Sequence, residues 1–86
     1  MAEVTPYRQR QIGVVVEVLE MRLDCLKRQQ LPDYIVFGSI DQMDFFVRSI
    51  QSLNHGFVQL NPITNNCVYE SMDIIYEKGD KGVYLK

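Results

Sequence analysis

The segment 6–30 constrains the fold of this chain more than any other, because its pattern is helical and its apolar residues lie on two sides. At about 100° per residue, one row of apolar side chains has the heptad-like spacing of a helix face. We call it the leucine stripe, and it consists of Ile12, Val16, Leu19, Leu23 and Leu26. A second row on roughly the opposite side, the valine stripe, consists of Val14, Val18, Met21 and Cys25. A helix with two apolar sides needs a cover on each of them.

The chain has little other structure with which to cover both stripes. It contains 86 residues, 47% of them hydrophobic and 23% charged, which is a globular balance and predicts a single domain over 1–86. A domain of this size buries only about 60–65% of the surface of its unfolded chain. Two cysteines, Cys25 and Cys67, are too few for a disulfide framework. Small domains often gain the missing burial by oligomerising or by binding a partner.

The valine stripe has two open interpretations. It can pack inside the monomer, against the second helix or the C-terminal strands. It can also form the contact between two copies of the chain across a two-fold axis. We hypothesise a homodimer whose interface is formed by Val14, Val18, Met21 and Cys25.

The boundaries of both predicted helices follow from their capping residues. Thr5 is a favourable N-cap and Pro6 a favourable first residue, so the first helix is expected over 6–30. Ser39 and Gln42 have the spacing of a capping box, which predicts a second helix over 40–54. Gly56 is then the expected C′ residue. Capping explains the pair Gly38-Ser39 better than a phosphate-binding turn does, because no further glycine or lysine of such a motif follows.

Strands are predicted over 34–38, 57–60, 67–76 and 83–85. The third of these breaks its apolar alternation at Glu70, so an edge position or a bulge is expected near Ser71. Gly79-Asp80-Lys81-Gly82 has the composition of a hairpin turn. The element order α-β-α-β-β-β predicts an α+β, two-layer fold in which two helices cover a mixed four-stranded sheet. One βαβ unit at 34–60 would place its two strands side by side and parallel.

Charge and the N-terminal sequence exclude several classes of protein. The net charge of -2 argues against a polyanion-binding protein built on bulk positive charge. The first ten residues contain no apolar region of a secretory signal, and no apolar run is long enough to span a bilayer. We therefore expect a cytoplasmic protein that does not enter a membrane.

No motif for catalysis, a cofactor or a metal is present. The single histidine, His55, is expected to cap the second helix, and it has no nucleophile beside it in sequence. One histidine and two distant cysteines do not have zinc-ligand spacing. The sequence therefore predicts a protein that is not an enzyme.

Three residues are candidates for contact with a partner. Arg8 and Arg10 lie in the first turns of the first helix, where the helix dipole disfavours cations. They are either tolerated exposed charges or part of a surface for an anionic partner. Phe45 stands beside Phe46, so one of the two rings points away from the main apolar face. Phe45 either packs under a loop or is an exposed aromatic anchor.

These observations predict a non-catalytic protein-binding module. Its expected action, as a small homodimeric inhibitor or accessory factor, is to occlude or bridge surfaces on an unidentified protein target. Small proteins of phages and mobile elements offer the analogy, which rests on size and on the lack of motifs. The alternative is a nucleic-acid-binding regulator that uses a basic patch of Arg8, Arg10, Lys27 and Arg28.

Overall fold

The computed structural model describes residues 5–80 and 82–86. Within them the chain forms two helices and five strands, in the order α1 (Pro6–Lys27), β1 (Tyr34–Phe37), α2 (Ile40–Leu53), β2 (Gln59–Leu60), β3 (Cys67–Tyr69), β4 (Met72–Tyr76) and β5 (Val83–Leu85). The strands form one mixed sheet in the order β2-β3-β4-β1-β5. The α+β class is as predicted, and the sheet has five strands instead of four.

The two helices begin where their sequences predict, but only α1 has the expected side-chain cap. The Thr5 hydroxyl accepts a hydrogen bond from the backbone N–H of Arg8 at 3.1 Å. Ser39 precedes α2 in an extended conformation, and its side chain makes no capping hydrogen bond. The predicted capping box is therefore absent, and Asp41 in the first turn is the residue that complements the dipole of α2.

Both helices end with a non-glycine residue in the left-handed region. His55, with a φ of 57°, takes the C′ position of α2 that was predicted for Gly56. The N–H of Gly56 then donates to the Gln51 carbonyl at 2.6 Å, which is the long-range bond of a Schellman motif. Gln29 has the same role after α1, with a φ of 59°.

The predicted strand 67–76 is in fact a hairpin of β3 and β4. Glu70 and Ser71 form the turn, and both have positive φ, 52° and 65°. A two-residue turn of this kind matches the right-handed twist of the flanking strands. The prediction of an edge position or a bulge near Ser71 is therefore wrong, because the chain reverses there and forms two interior strands.

The strands of the predicted βαβ unit are parallel but are not neighbours. β1 pairs in parallel with β4, whereas β2 pairs with β3 at the far edge of the sheet. The hairpin of β3 and β4 inserts between them, which the local sequence of 34–60 does not encode.

Residues 77–80 and Gly82 cross the end of β1, so β4 and β5 are not joined by the predicted hairpin turn. β1 lies between β4 and β5 and pairs antiparallel with β5. The backbone of Gly79 approaches the backbone of Gly38 closely. A Cβ at position 38 would lie 2.6 Å from the Gly79 carbonyl oxygen, so the approach requires a glycine there. The N–H of Gly38 donates to the Gly82 carbonyl at 2.8 Å. Lys81, part of the predicted turn, lies outside the described residues.

The core lies between the helices and one face of the sheet. Both helices contribute to a single cluster of buried side chains with strands β1 and β4. Its members are Val15, Val18, Ile35, Phe37, Phe46, Ile50, Met72 and Ile74. Phe46 is its largest buried side chain, and its ring packs on Phe37 and Tyr69 with centroid distances of 5.3 and 5.6 Å.

Candidate protein-binding surface

The valine stripe of α1 faces the core of the monomer. Val18 is only 1% exposed and belongs to the central cluster, and Val14 and Met21 are half-buried against that cluster. Cys25 is half-buried with a free thiol. Because Val18 has no surface left for a second copy, the face predicted as the dimer interface is the one that the monomer itself covers. Of the two interpretations, intramolecular packing is the one that the structure favours.

The leucine stripe lies on the solvent side of α1. Four of its five members are between 37% and 53% exposed: Ile12, Val16, Leu19 and Leu23. Leu26 is half-buried at the end of the row. The four exposed residues extend over three helical turns, about 16 Å at 1.5 Å per residue. An apolar surface of this length on a helix is typical of an interaction site.

The two arginines predicted to meet a partner differ in their surroundings. One guanidinium nitrogen of Arg8 donates to the Ser52 hydroxyl at 2.7 Å and to the Gln11 side-chain oxygen at 3.3 Å. Arg8 therefore links α1 to α2 within the monomer. Arg10 is exposed, with its guanidinium carbon 5.8 Å from the centroid of the Tyr7 ring.

The basic patch of the nucleic-acid alternative is also partly engaged. Arg28 forms an exposed ion pair with Asp24, 3.7 Å apart. With Arg8 bound to Ser52, two of the four predicted basic residues already have partners in the monomer. Within residues 5–80 and 82–86, only Arg10 and Lys27 of the four form neither an ion pair nor a side-chain hydrogen bond.

A groove separates the N-terminal end of α2 from α1 and β5. It has a volume of about 420 Å³, and both helices and two strands line it. Its apolar lining consists of Val14, Val18, Phe37, Phe45, Phe46 and Val83. Two carboxylates, Glu17 on α1 and Asp41 on α2, also line it.

Phe45 is neither packed under a loop nor a fully exposed anchor, the two alternatives predicted for it. Its ring packs edge-on against Tyr7, with centroids 5.9 Å apart, and not under a loop. The side chain stays half-buried, and its accessible part lines the groove.

The loop 61–66 folds around Asp73, an arrangement that the sequence does not predict. The carboxylate of Asp73 accepts hydrogen bonds from the Asn61 amide at 3.0 and 3.2 Å, from the Thr64 hydroxyl at 2.9 Å and from the Asn66 amide at 3.5 Å. These bonds, led by that of Asn61, hold the pKa of Asp73 below its usual value. The loop exposes 92% of Ile63. The turn-forming residue types were visible in the sequence, but their shared acceptor lies on β4.

A second polar cluster closes the opposite edge of the sheet. Lys86 donates to one oxygen of Glu77 at 2.8 Å, and the Tyr84 hydroxyl donates to the other at 3.1 Å. The bond from Lys86 lowers the pKa of Glu77 and raises that of Lys86. Both charged side chains are about half exposed, so this cluster is a surface contact of modest energy.

The described residues show no arrangement of three or more histidine, cysteine, aspartate or glutamate side chains that could hold a metal ion. Neither described helix combines the length and hydropathy needed to cross a bilayer. Comparisons with protein-family models, with curated proteins and with solved structures found no match to the chain.

Proposed function

We propose that this protein is a non-catalytic, homodimeric protein-binding module, an inhibitor or accessory factor that occludes or bridges its target. The observation that carries the proposal is the exposure of the leucine stripe on a 22-residue helix whose other apolar side is already buried. The proposed interface is therefore Ile12, Val16, Leu19 and Leu23, in place of the valine stripe.

The spacing of the leucine stripe supports a helix from a second copy as its cover. Successive members are separated by four, three, four and three residues, which is the spacing of the a and d positions of a coiled coil. In that register Val16 at a and Leu19 at d form the combination that favours two helices, whereas Leu23 at a and Ile12 at d form one that favours larger assemblies. The spacing thus supports a helical partner, and the choice of two copies rests on the symmetry of the most common oligomers. A two-fold axis lets one stripe serve both subunits, because the same patch then meets itself.

Burial also favours a partner for this stripe. A stable interface removes at least about 1,000 Å² of surface from water in total. A helix of 22 residues is about 33 Å long, so a second α1 laid along it contacts the flanking side chains as well as the stripe. Exposed apolar residues elsewhere, such as Phe57 and Ile63 in loops and Ile40 at the start of α2, do not form a row of comparable length.

The alternative of a nucleic-acid-binding regulator finds less support. Arg8 and Arg28 are engaged with Ser52 and Asp24, and the net charge of the chain is -2. A binding affinity for duplex DNA that falls steeply with added salt would favour this alternative.

Sedimentation equilibrium of Leu23→Glu tests the proposal. We expect the unaltered chain to sediment with twice the mass of one copy, and Leu23→Glu to sediment as a monomer, because two glutamates would be buried at the interface. The matched control is Phe57→Glu, which places the same charge on a side chain that is 70% exposed outside α1. A chain that is monomeric at all concentrations, or a control that dissociates equally, would contradict the proposal.

A further inference from the structure

The groove between α1, α2 and β5 combines an apolar lining with two carboxylates. We propose that it binds a segment of a protein partner in which an aliphatic or aromatic side chain lies next to an arginine or lysine. The groove and the leucine stripe lie on opposite flanks of α1, since Glu17 and Leu19 are about 200° apart around the helix. The inference therefore does not depend on the dimer.

The shape of the groove suits side chains of a peptide. Its volume of about 420 Å³ lies within the range of binding pockets for small ligands and side chains. Phe37 and Phe46 at its base are almost completely buried, so the base belongs to the rigid core. Phe45, in contrast, is half-buried and presents part of its ring to the opening. A partner side chain would therefore enter a largely preformed site.

Charge selects the class of side chain. Among residues 5–80 and 82–86, no basic group forms an ion pair with Glu17 or Asp41. The two carboxylates come from different helices and line the same opening, so their fields add there and attract a cation.

Arginine and lysine fit both features of the groove at once. Their methylene stems lie favourably along apolar surface while the charged head stays at the rim. A guanidinium group can in addition stack on an aromatic face such as that of Phe45. An acidic or a purely apolar segment would leave both carboxylates without a partner.

A random heptapeptide display library, selected on the immobilised full chain, tests this proposal. We expect the enriched peptides to contain an aliphatic or aromatic residue within two positions of arginine or lysine. Addition of a labelled enriched peptide should shift the methyl resonances of Val14 and Val83, both in the groove. Enrichment without basic residues, or shifts confined to the leucine stripe, would overturn the proposal.

Two double variants with the same change in net charge separate the groove from general electrostatics. Glu17→Gln with Asp41→Asn should weaken binding of the labelled peptide about tenfold at low salt, because two partly exposed charge pairs are lost. Glu20→Gln with Asp33→Asn alters exposed carboxylates outside the groove lining and should leave the affinity unchanged. All four positions are exposed, so unaltered circular dichroism is expected for both variants. Equal weakening by both variants would contradict a specific site.

Discussion

The two helices of this protein use their apolar residues differently. α2 buries Phe46 and Ile50 in the core and packs Met43, Val47 and Leu53 against it. Its solvent side carries an exposed ion pair between Arg48 and Asp44, 3.0 Å apart. α1 also buries one side, yet it leaves four large apolar residues of the leucine stripe exposed on another. α1 therefore leaves a continuous row of apolar residues exposed along its length, whereas α2 exposes only Ile40 and part of Phe45 at its N-terminal end.

The largest effect on stability is expected at Phe46, the side chain by which α2 fills the core. Phe46→Ala removes the largest buried side chain of the central cluster and leaves a cavity between α2, β1 and β3. We expect a loss of about 3–5 kcal/mol in the free energy of unfolding. Urea denaturation followed by circular dichroism measures this loss, and a change below about 1 kcal/mol would mean that α2 does not anchor the core.

The two sides of α1 should respond in opposite ways to the same truncation. Val18→Ala removes two buried methyl groups and should cost about 2 kcal/mol of unfolding free energy, with no specific effect on association. Leu19→Ala should change the stability of the monomer little. It should raise the dissociation constant of the dimer on the order of tenfold, because both subunits lose interface contact.

Urea denaturation measures the unfolding free energy of these two variants, and sedimentation equilibrium measures their dissociation constants. If Val18→Ala weakened association while its unfolding free energy stayed unchanged, the assignment of the two sides would be reversed.

Capping gives a smaller contrast between the helices. Thr5→Ala removes the hydroxyl that accepts the N–H of Arg8, so it should cost about 1 kcal/mol. Ser39→Ala removes no capping hydrogen bond and should cost only a few tenths of a kcal/mol. Thermal denaturation of the two variants checks the difference, and equal losses would show that Ser39 also caps α2 in solution.

The smallest effect concerns a region remote from both helices. The pKa of Asp73 is lower in the folded chain than its ordinary value, so its contribution to stability is complete above that ordinary value. The contribution is lost as the pH falls below about 4 towards the folded pKa. Asp73→Asn should therefore lower stability at pH 7 and flatten its dependence on pH below about 4. An unchanged acid slope in urea titrations would contradict a role for this carboxylate.

The sequence predicts those features of the fold that depend on local residues. Thr5 with Pro6 sets the start of α1, and the apolar spacing of 40–53 sets α2, because both act through neighbours within a few positions. The α+β class follows from these elements and from the β-branched and aromatic residues of β1. The Thr5 cap and the apolar periodicity are therefore sufficient to predict where the two helices form.

Strand pairing could not be predicted from local sequence. The turn at Glu70 and Ser71 has neither the asparagine nor the glycine that normally indicates a two-residue hairpin, so the sequence predicts a single strand over 67–76. With a single strand over 67–76, the sequence cannot predict that a hairpin of β3 and β4 lies between β1 and β2. The choice between the stripes of α1 was hidden for a related reason, since both have helical spacing and only tertiary packing decides which is buried.

The groove could not be predicted from the sequence for the same reason. In the sequence, Glu17 is one of several carboxylates along α1, and Asp41 stands in the first turn of α2. Spacing of this kind describes each carboxylate only within its own helix. Their position on one apolar opening depends on how α1 and α2 pack, which no spacing within either helix contains.

The pairing of α1 with a second α1 is tested most directly by isotope-filtered NMR on a mixture of labelled and unlabelled chains. Methyl groups of Val16, Leu19 and Leu23 in labelled chains should show nuclear Overhauser effects to protons of unlabelled chains. Val14 and Val18 should show none, because their contacts lie within one copy. Intermolecular effects from Val18, or none at all from the leucine stripe in a sample that sediments as a dimer, would contradict this interface.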